Sequence, residues 1–66
     1  MYYVYTIDCP ACRVLEKKLA QKNIEYMRVT DEVAFKKKKI TTFPVMQIND
    51  GPLMSYKEAV DHINSL

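Results

Sequence analysis

The sequence predicts a single small α/β domain: a four-stranded mixed sheet flanked by helices, in the order β-α-β-(α)-β-β-α. Three observations predict it. The chain has 66 residues, 48% hydrophobic and 27% charged, with one Gly and three Pro. That supplies apolar material for one thin core and too little length for a second domain. An aromatic and β-branched segment precedes a stretch of helical period and then a second strand-like stretch, the pattern of a right-handed crossover between parallel strands. Further along, a strong turn signal is followed by a capped helix.

The elements follow in order. Tyr2-Tyr3-Val4-Tyr5-Thr6 is a buried strand by its aromatic and β-branched content. Ile7-Asp8 leads into Cys9-Pro10-Ala11-Cys12, where Pro10 suits a first helical turn because its missing N–H has no intrahelical role there. From Ala11 to about Lys22, the residues Ala11, Val14, Leu15 and Leu19 mark an inward face, and Arg13, Lys17, Lys18 and Gln21 an outward one. Asn23 is a C-terminal stop. Ile24 to Val29 is a second strand. Thr30-Asp31-Glu32 starts a short helix carrying Val33, Ala34 and Phe35, ahead of four lysines, Lys36 to Lys39.

Phe43 to Ile48 is a third strand, Asn49-Asp50-Gly51-Pro52 a turn, and Leu53-Met54 a short antiparallel return. Ser55 and Glu58 have capping-box spacing at the start of a last helix, with Tyr56, Ala59, Val60 and Ile63 inward. Tyr2, Tyr3, Tyr5 and Tyr26 are expected in the core or on the sheet faces, Met46 and Met54 as gap fillers, and His62 at the surface. Tyr5 ends the strand that leads into the cysteine turn, so it is also a candidate for the site.

Composition excludes several classes. Disordered and collagen-like chains are richer in Gly, Pro or charge. No apolar run approaches the ~18 residues of a membrane span, and the N-terminus lacks the charged-then-apolar order of a secretory signal. A formal charge of +2 is too small to imply nucleic-acid binding. Two cysteines cannot make a disulfide framework. The expectation is a soluble, cytoplasmic monomer with no nucleic-acid or membrane partner.

The cysteines carry the chemistry. Cys9 falls at the helix N-cap and Cys12 one turn inside, so the sulfurs are neighbours that can join without large backbone movement. Free N–H groups and the helix macrodipole favour negative charge at that end, and thiolate is the attacking species in thiol–disulfide exchange. Asp8 acts against this, since a neighbouring carboxylate disfavours a thiolate, and Arg13 and Lys17 are the cations expected to offset it. A structural bridge closing so short a loop would stabilise little. A zinc site needs more ligands than two thiolates and a distant His62. A redox dithiol needs nothing further.

These residues resemble the glutaredoxin group of the thioredoxin-fold family. The resemblance rests on Val4-Tyr5-Thr6 leading into Cys9-Pro10-Ala11-Cys12, on Thr42-Phe43-Pro44-Val45 before the third strand, and on the closing turn and helix. It covers nearly the whole chain. It implies a minimal thioredoxin fold and a dithiol–disulfide oxidoreductase, with Cys9 as nucleophile and Cys12 as resolving thiol. Pro44 would have a cis peptide bond, and the backbone of Phe43 would pair with an extended substrate. Pro10, Ala11, Tyr5, Ser55 and Tyr56 would line the site, and Lys36 or Lys39 would take the glycine carboxylate of glutathione. The lysine run also reads as a solvated helix face or as a means of steering an acidic partner.

The pattern departs from the group at Met54-Ser55-Tyr56-Lys57, where glutathione-binding members carry Gly-Gly and then an acidic residue. Lys57 would repel glutathione's amino group. Ser55-Tyr56-Lys57 is closer to the Ser-Gly-Phe-Arg segment of NrdH-redoxins, which are reduced by thioredoxin reductase and feed ribonucleotide reductase. Expected partners are thus disulfide-containing proteins, ribonucleotide reductase among them, with glutathione or a thioredoxin reductase as electron donor and no tightly bound cofactor or metal. The rival from another class is a copper-chaperone-type domain whose paired thiolates hold Cu(I), although Ile7 stands where such domains carry Met. A cluster shared between two chains through Cys9 is a third reading.

Overall fold

The computed structural model describes residues 1–66. Its elements are β1 (Tyr2–Tyr5), α1 (Pro10–Gln21), β2 (Tyr26–Val29), α2 (Glu32–Lys37), β3 (Val45–Ile48), β4 (Leu53–Met54) and α3 (Tyr56–Asn64). They form a small α/β domain with a four-stranded mixed sheet in the order β2-β1-β3-β4. β1 runs parallel to β2, with Tyr2 opposite Tyr26, and antiparallel to β3, with Val4 opposite Met46 and Tyr5 opposite Val45. β4 returns along β3, with Met46 opposite Met54.

Side chains alternate across a strand, so this register sorts the core into two layers. Val4 and Met46 face α1 and α3 and pack with Leu15, Leu19, Ala59 and Ile63, all essentially sealed from solvent. Tyr5 and Val45 face the other way, toward α2, and pack with Phe35. Only 13 of the 66 residues are buried, so each core contact carries a large share of the modest stability of a chain this short.

Local chemistry sets the element ends, and in several places moves them from the expected positions. α1 ends in a Schellman motif: Asn23 adopts φ 57°, its N–H bonds to the Ala20 carbonyl, and the N–H of Ile24 bonds back to Leu19. Ile24 is consumed by that cap, and β2 starts only at Tyr26. α2 closes in the same way, with Lys39 at φ 56° and the N–H of Ile40 on the Phe35 carbonyl. The four lysines are therefore not one helix face. Lys36 and Lys37 are helical, Lys38 is the cap, and Lys39 is the left-handed turn residue.

The inward stripe of α1 is Cys12, Leu15 and Leu19, whereas Val14 is exposed. Positions 12, 15 and 19 line up along one side of the helix and turn toward the sheet, with Ala11 half-buried beside them and Val14 outside the stripe. β3 starts at Val45, because Pro44 has no N–H for the ladder. The β3–β4 turn lies at Asn49-Asp50, with Asn49 at φ 51° and the Gly51 N–H on the Ile48 carbonyl at 2.9 Å. A Cβ on Gly51 would sit 3.0 Å from that carbonyl oxygen, which is why this position takes the chain's one glycine.

α3 carries the complete capping box. Ser55 Oγ accepts the Glu58 N–H at 3.3 Å, and Glu58 Oε1 accepts the Ser55 N–H at 3.1 Å. His62 is half-buried rather than at the surface, with Nε2 3.3 Å from the Tyr2 hydroxyl. No helix is long and apolar enough to cross a membrane.

Candidate functional site

Cys9 is the N-cap of α1. Its backbone is extended (φ −75°, ψ 164°), and its sulfur accepts the Cys12 N–H at 3.2 Å, a donor that the helix start leaves without an intrahelical carbonyl. Pro10 follows as the first helical residue and is exposed; Ala11 is half-buried. Cys12 is fully buried and Cys9 is partly exposed, and both are free thiols.

Thr6 completes the arrangement from the end of β1. It is fully buried, and its Oγ1 accepts the Asp8 N–H at 3.2 Å, which leaves its own proton to donate. The Thr6 hydroxyl and the Ile7 N–H both act on the Cys12 sulfur in the sense that favours its charged form.

These contacts set how the pair ionises. Hydrogen bonding with the Cys12 side chain and desolvation push the Cys9 thiol up, against a smaller downward pull from the N–H groups of Cys12 and Ala11. For Cys12, burial is the largest influence and acts upward. The Cys9 side chain, the Thr6 hydroxyl and the N–H groups of Ile7 and Cys9 together outweigh it and bring Cys12 below the ordinary thiol range.

The pair thus gives up one proton early and holds the second. The helix start alone favours a thiolate at Cys9; the contacts of the pair push the Cys9 thiol up and the Cys12 thiol down. Of the two sulfurs only Cys9 can be reached from solvent.

The Asp8 carboxylate is handled by a residue that the sequence did not point to. Arg28 of β2 donates through its guanidinium to Asp8 Oδ1 at 2.6 Å and to Glu16 Oε1 at 2.7 Å. Arg13 and Lys17 make no ion pair with Asp8. They project from the outer side of α1, whereas Asp8, at φ 62°, turns its side chain toward β2. Glu16 also accepts the Tyr26 hydroxyl at 3.1 Å, and burial of the phenol, with the Glu16 charge beside it, raises the Tyr26 pKa.

The remaining expected site residues divide. The Phe43–Pro44 peptide is cis, and Pro44 is fully buried. The N–H and C=O of Phe43 have no hydrogen-bond partner within the chain, while its ring packs edge-on against Phe35 with centroids 4.7 Å apart. The backbone of Phe43 is therefore free, and its side chain belongs to the α2 layer.

The Tyr5 side chain faces away from α1 and packs in the α2 layer. Its ring is buried against Phe35, Lys38 Nζ lies 5.9 Å above it, and its hydroxyl donates to Gln47 Oε1 at 2.9 Å. The pleat puts Tyr5 on the face opposite α1, so ending the strand does not bring its side chain to the cysteines. Ser55 has its hydroxyl, N–H and C=O committed to capping and the first helical bond of α3. Tyr56 packs on the Val4–Met46 layer. Lys36 and Lys39 are exposed, and no hydrogen bond or ion pair ties either side chain to the cysteine loop. No group of three or more His, Cys, Asp and Glu side chains is placed to hold a metal ion.

Thr6 had a faint signal, as a hydroxyl residue ending an otherwise apolar strand. Arg28 had none, because its partners lie 20 and 12 positions earlier and the pairing exists only once β2 lies beside β1. No protein-family model matches the chain, and neither a curated protein nor a solved structure matches it.

Proposed function

We propose that this chain is a small dithiol–disulfide oxidoreductase with a minimal thioredoxin-type fold, a glutaredoxin-like electron carrier acting in a reducing compartment such as the cytoplasm. The observation that carries this reading is the asymmetry of the pair: a reachable sulfur capping a helix, and a sealed sulfur one turn inside.

The chemistry follows from that asymmetry. The Cys9 thiolate attacks one sulfur of a substrate disulfide, forms a mixed disulfide and expels the other substrate sulfur as thiolate, which takes up a proton. Cys12, held low by Thr6 and the Ile7 N–H, then attacks the Cys9 sulfur. The Cys9–Cys12 bond forms, the second substrate thiolate leaves, and two electrons have passed to the substrate. Because Cys12 is sealed, it can resolve only a bond formed at Cys9. The unpaired N–H and C=O of Phe43 offer an extended substrate strand a place to pair. An external thiol, glutathione or a thioredoxin reductase, restores the dithiol, and Lys57 favours the latter by repelling glutathione's ammonium.

The test is to oxidise the protein and follow NADPH consumption with glutathione plus glutathione reductase, beside thioredoxin reductase, using an insulin-type disulfide as acceptor. Cys9→Ser should abolish turnover, and Cys12→Ser should accumulate mixed disulfides at Cys9. Equal residual turnover in the two variants, or tight stoichiometric Cu(I) binding without reductase activity, would overturn the assignment.

A further inference from the structure

The loop between β1 and α1 carries a carboxylate where the site can least tolerate one. Asp8 directly precedes Cys9, and at short range a negative charge raises the cost of forming a thiolate. Its backbone is held at φ 62°, a left-handed conformation open mainly to Gly, Asn and Asp. Three contacts define its position. The Asp8 N–H donates to Thr6 Oγ1, its carboxylate accepts from Arg28, and the same guanidinium reaches Glu16, whose side chain is only 14% exposed. Arg28 therefore links the loop, the second turn of α1 and the edge strand β2. Tyr26 donates to Glu16 and closes the network from the same strand.

We propose that Arg28 is a positioning residue for Cys9: it holds the Asp8 carboxylate against β2, which fixes the loop that delivers the sulfur to the helix start and neutralises the charge beside it. This deepens the redox reading and rests on it for its meaning in turnover, but the clamp is a property of the folded chain and can be measured alone. The titratable and charged groups near the loop are Asp8 itself, Cys12, Arg13 and Glu16 from α1, and Arg28 and Tyr26 from β2. The segment that follows β1 contributes the Thr6 hydroxyl. α2 and α3 place no side chain in a hydrogen bond or ion pair with Asp8 or Cys9. With Arg28 present, Asp8, Glu16 and Arg28 sum to one negative charge; without it they sum to two.

The experiment is the pH profile of Cys9 alkylation by iodoacetamide in the full chain, with labelling at Cys9 checked by mass spectrometry. Arg28→Met should move the midpoint up by about half a pH unit, the size of a one-charge change across a solvated surface. That is about three-fold slower labelling below the midpoint. Arg28→Lys, which keeps the charge but loses the fork, should fall closer to the wild type.

The pairing predicts suppression: adding Asp8→Asn to Arg28→Met should bring the midpoint back, which a merely structural role for Arg28 would not do. Asp8→Asn alone keeps a residue suited to positive φ and leaves β2 untouched, and it should lower the midpoint even if Arg28→Met does not fold. An unmoved midpoint in Arg28→Met, a shift that persists in the double variant, or a midpoint that does not fall in Asp8→Asn would overturn the clamp. A wild-type protein without reductase activity would end the redox reading and leave these midpoints standing.

Discussion

Tyr5→Phe separates the packing role that the structure gives this residue from a role at the site. The substitution removes one oxygen. The Tyr5 hydroxyl donates to Gln47 Oε1 at 2.9 Å, and Gln47 in turn donates to the Gly51 carbonyl at 2.8 Å. Gln47 is 8% exposed and Tyr5 4%, so water cannot readily replace the lost donor. At present every buried side-chain N and O has a partner; the variant would create the first orphan. Leaving a buried acceptor unsatisfied costs about 1–3 kcal/mol, partly offset by the more apolar ring, so a loss of about 1–2 kcal/mol is expected.

A chain of this length has a total stability of about 3–10 kcal/mol, so the change is a large share of it. In urea, with a slope of about 1 kcal/mol per molar for so small a domain, the midpoint should fall by about 1–2 M. Gln47→Met should cost a similar amount, and the double variant less than the sum, because the two share one bond. The alkylation rate of Cys9 should not change under native conditions. An unchanged urea midpoint together with slowed alkylation would refute the reasoning and return Tyr5 to the site.

Further outcomes follow from the ionisation and capping geometry. Titration of thiolate absorbance should resolve two steps, the first below and the second above the ordinary thiol value. Thr6→Val should raise the first step, because Cys12 loses the hydroxyl that lowers it; a single step at an ordinary value would contradict these opposed shifts. Glu58 is held below the usual glutamate range by the Ser55 N–H and hydroxyl. A depressed carboxylate stabilises the fold fully above its unfolded value of about 4.3 and loses that contribution as pH falls through the folded value. Thermal melts should therefore lose an acid-sensitive component in Glu58→Gln, and Ser55→Ala should cost about 1 kcal/mol at neutral pH.

Much of the framework was legible because it rests on interactions between residues close in sequence. The Pro10 helix start, the Asn23 stop and the Ser55/Glu58 box each depend on groups within one turn of each other, and those are visible as spacing. Cys9 and Cys12 belong to this class: N-cap and N3 positions are neighbours in any helix. Where short-range signals overlapped, the tighter one won. Ile24 has a strand-like side chain, but the Schellman motif takes its N–H; Lys39 continues a charged run, but the left-handed cap takes its backbone. Val14 lay on the expected inward stripe, but the line of Cys12, Leu15 and Leu19 is the one that packs on the sheet, and Val14 falls outside it.

That two thiols would meet at a helix start follows from the spacing of Cys9 and Cys12 alone, since their proximity needs nothing beyond the helix. Which thiol solvent could reach, which groups would lower the buried one, and what would answer Asp8 were decided only when β2 came to lie beside β1 and α1 settled on the sheet. Thr6 and Ile7, in the segment after β1, lower Cys12, and Arg28 reaches Asp8 from 20 residues away. Electrostatic and burial effects depend on distance in space, and no periodicity along the chain encodes that distance.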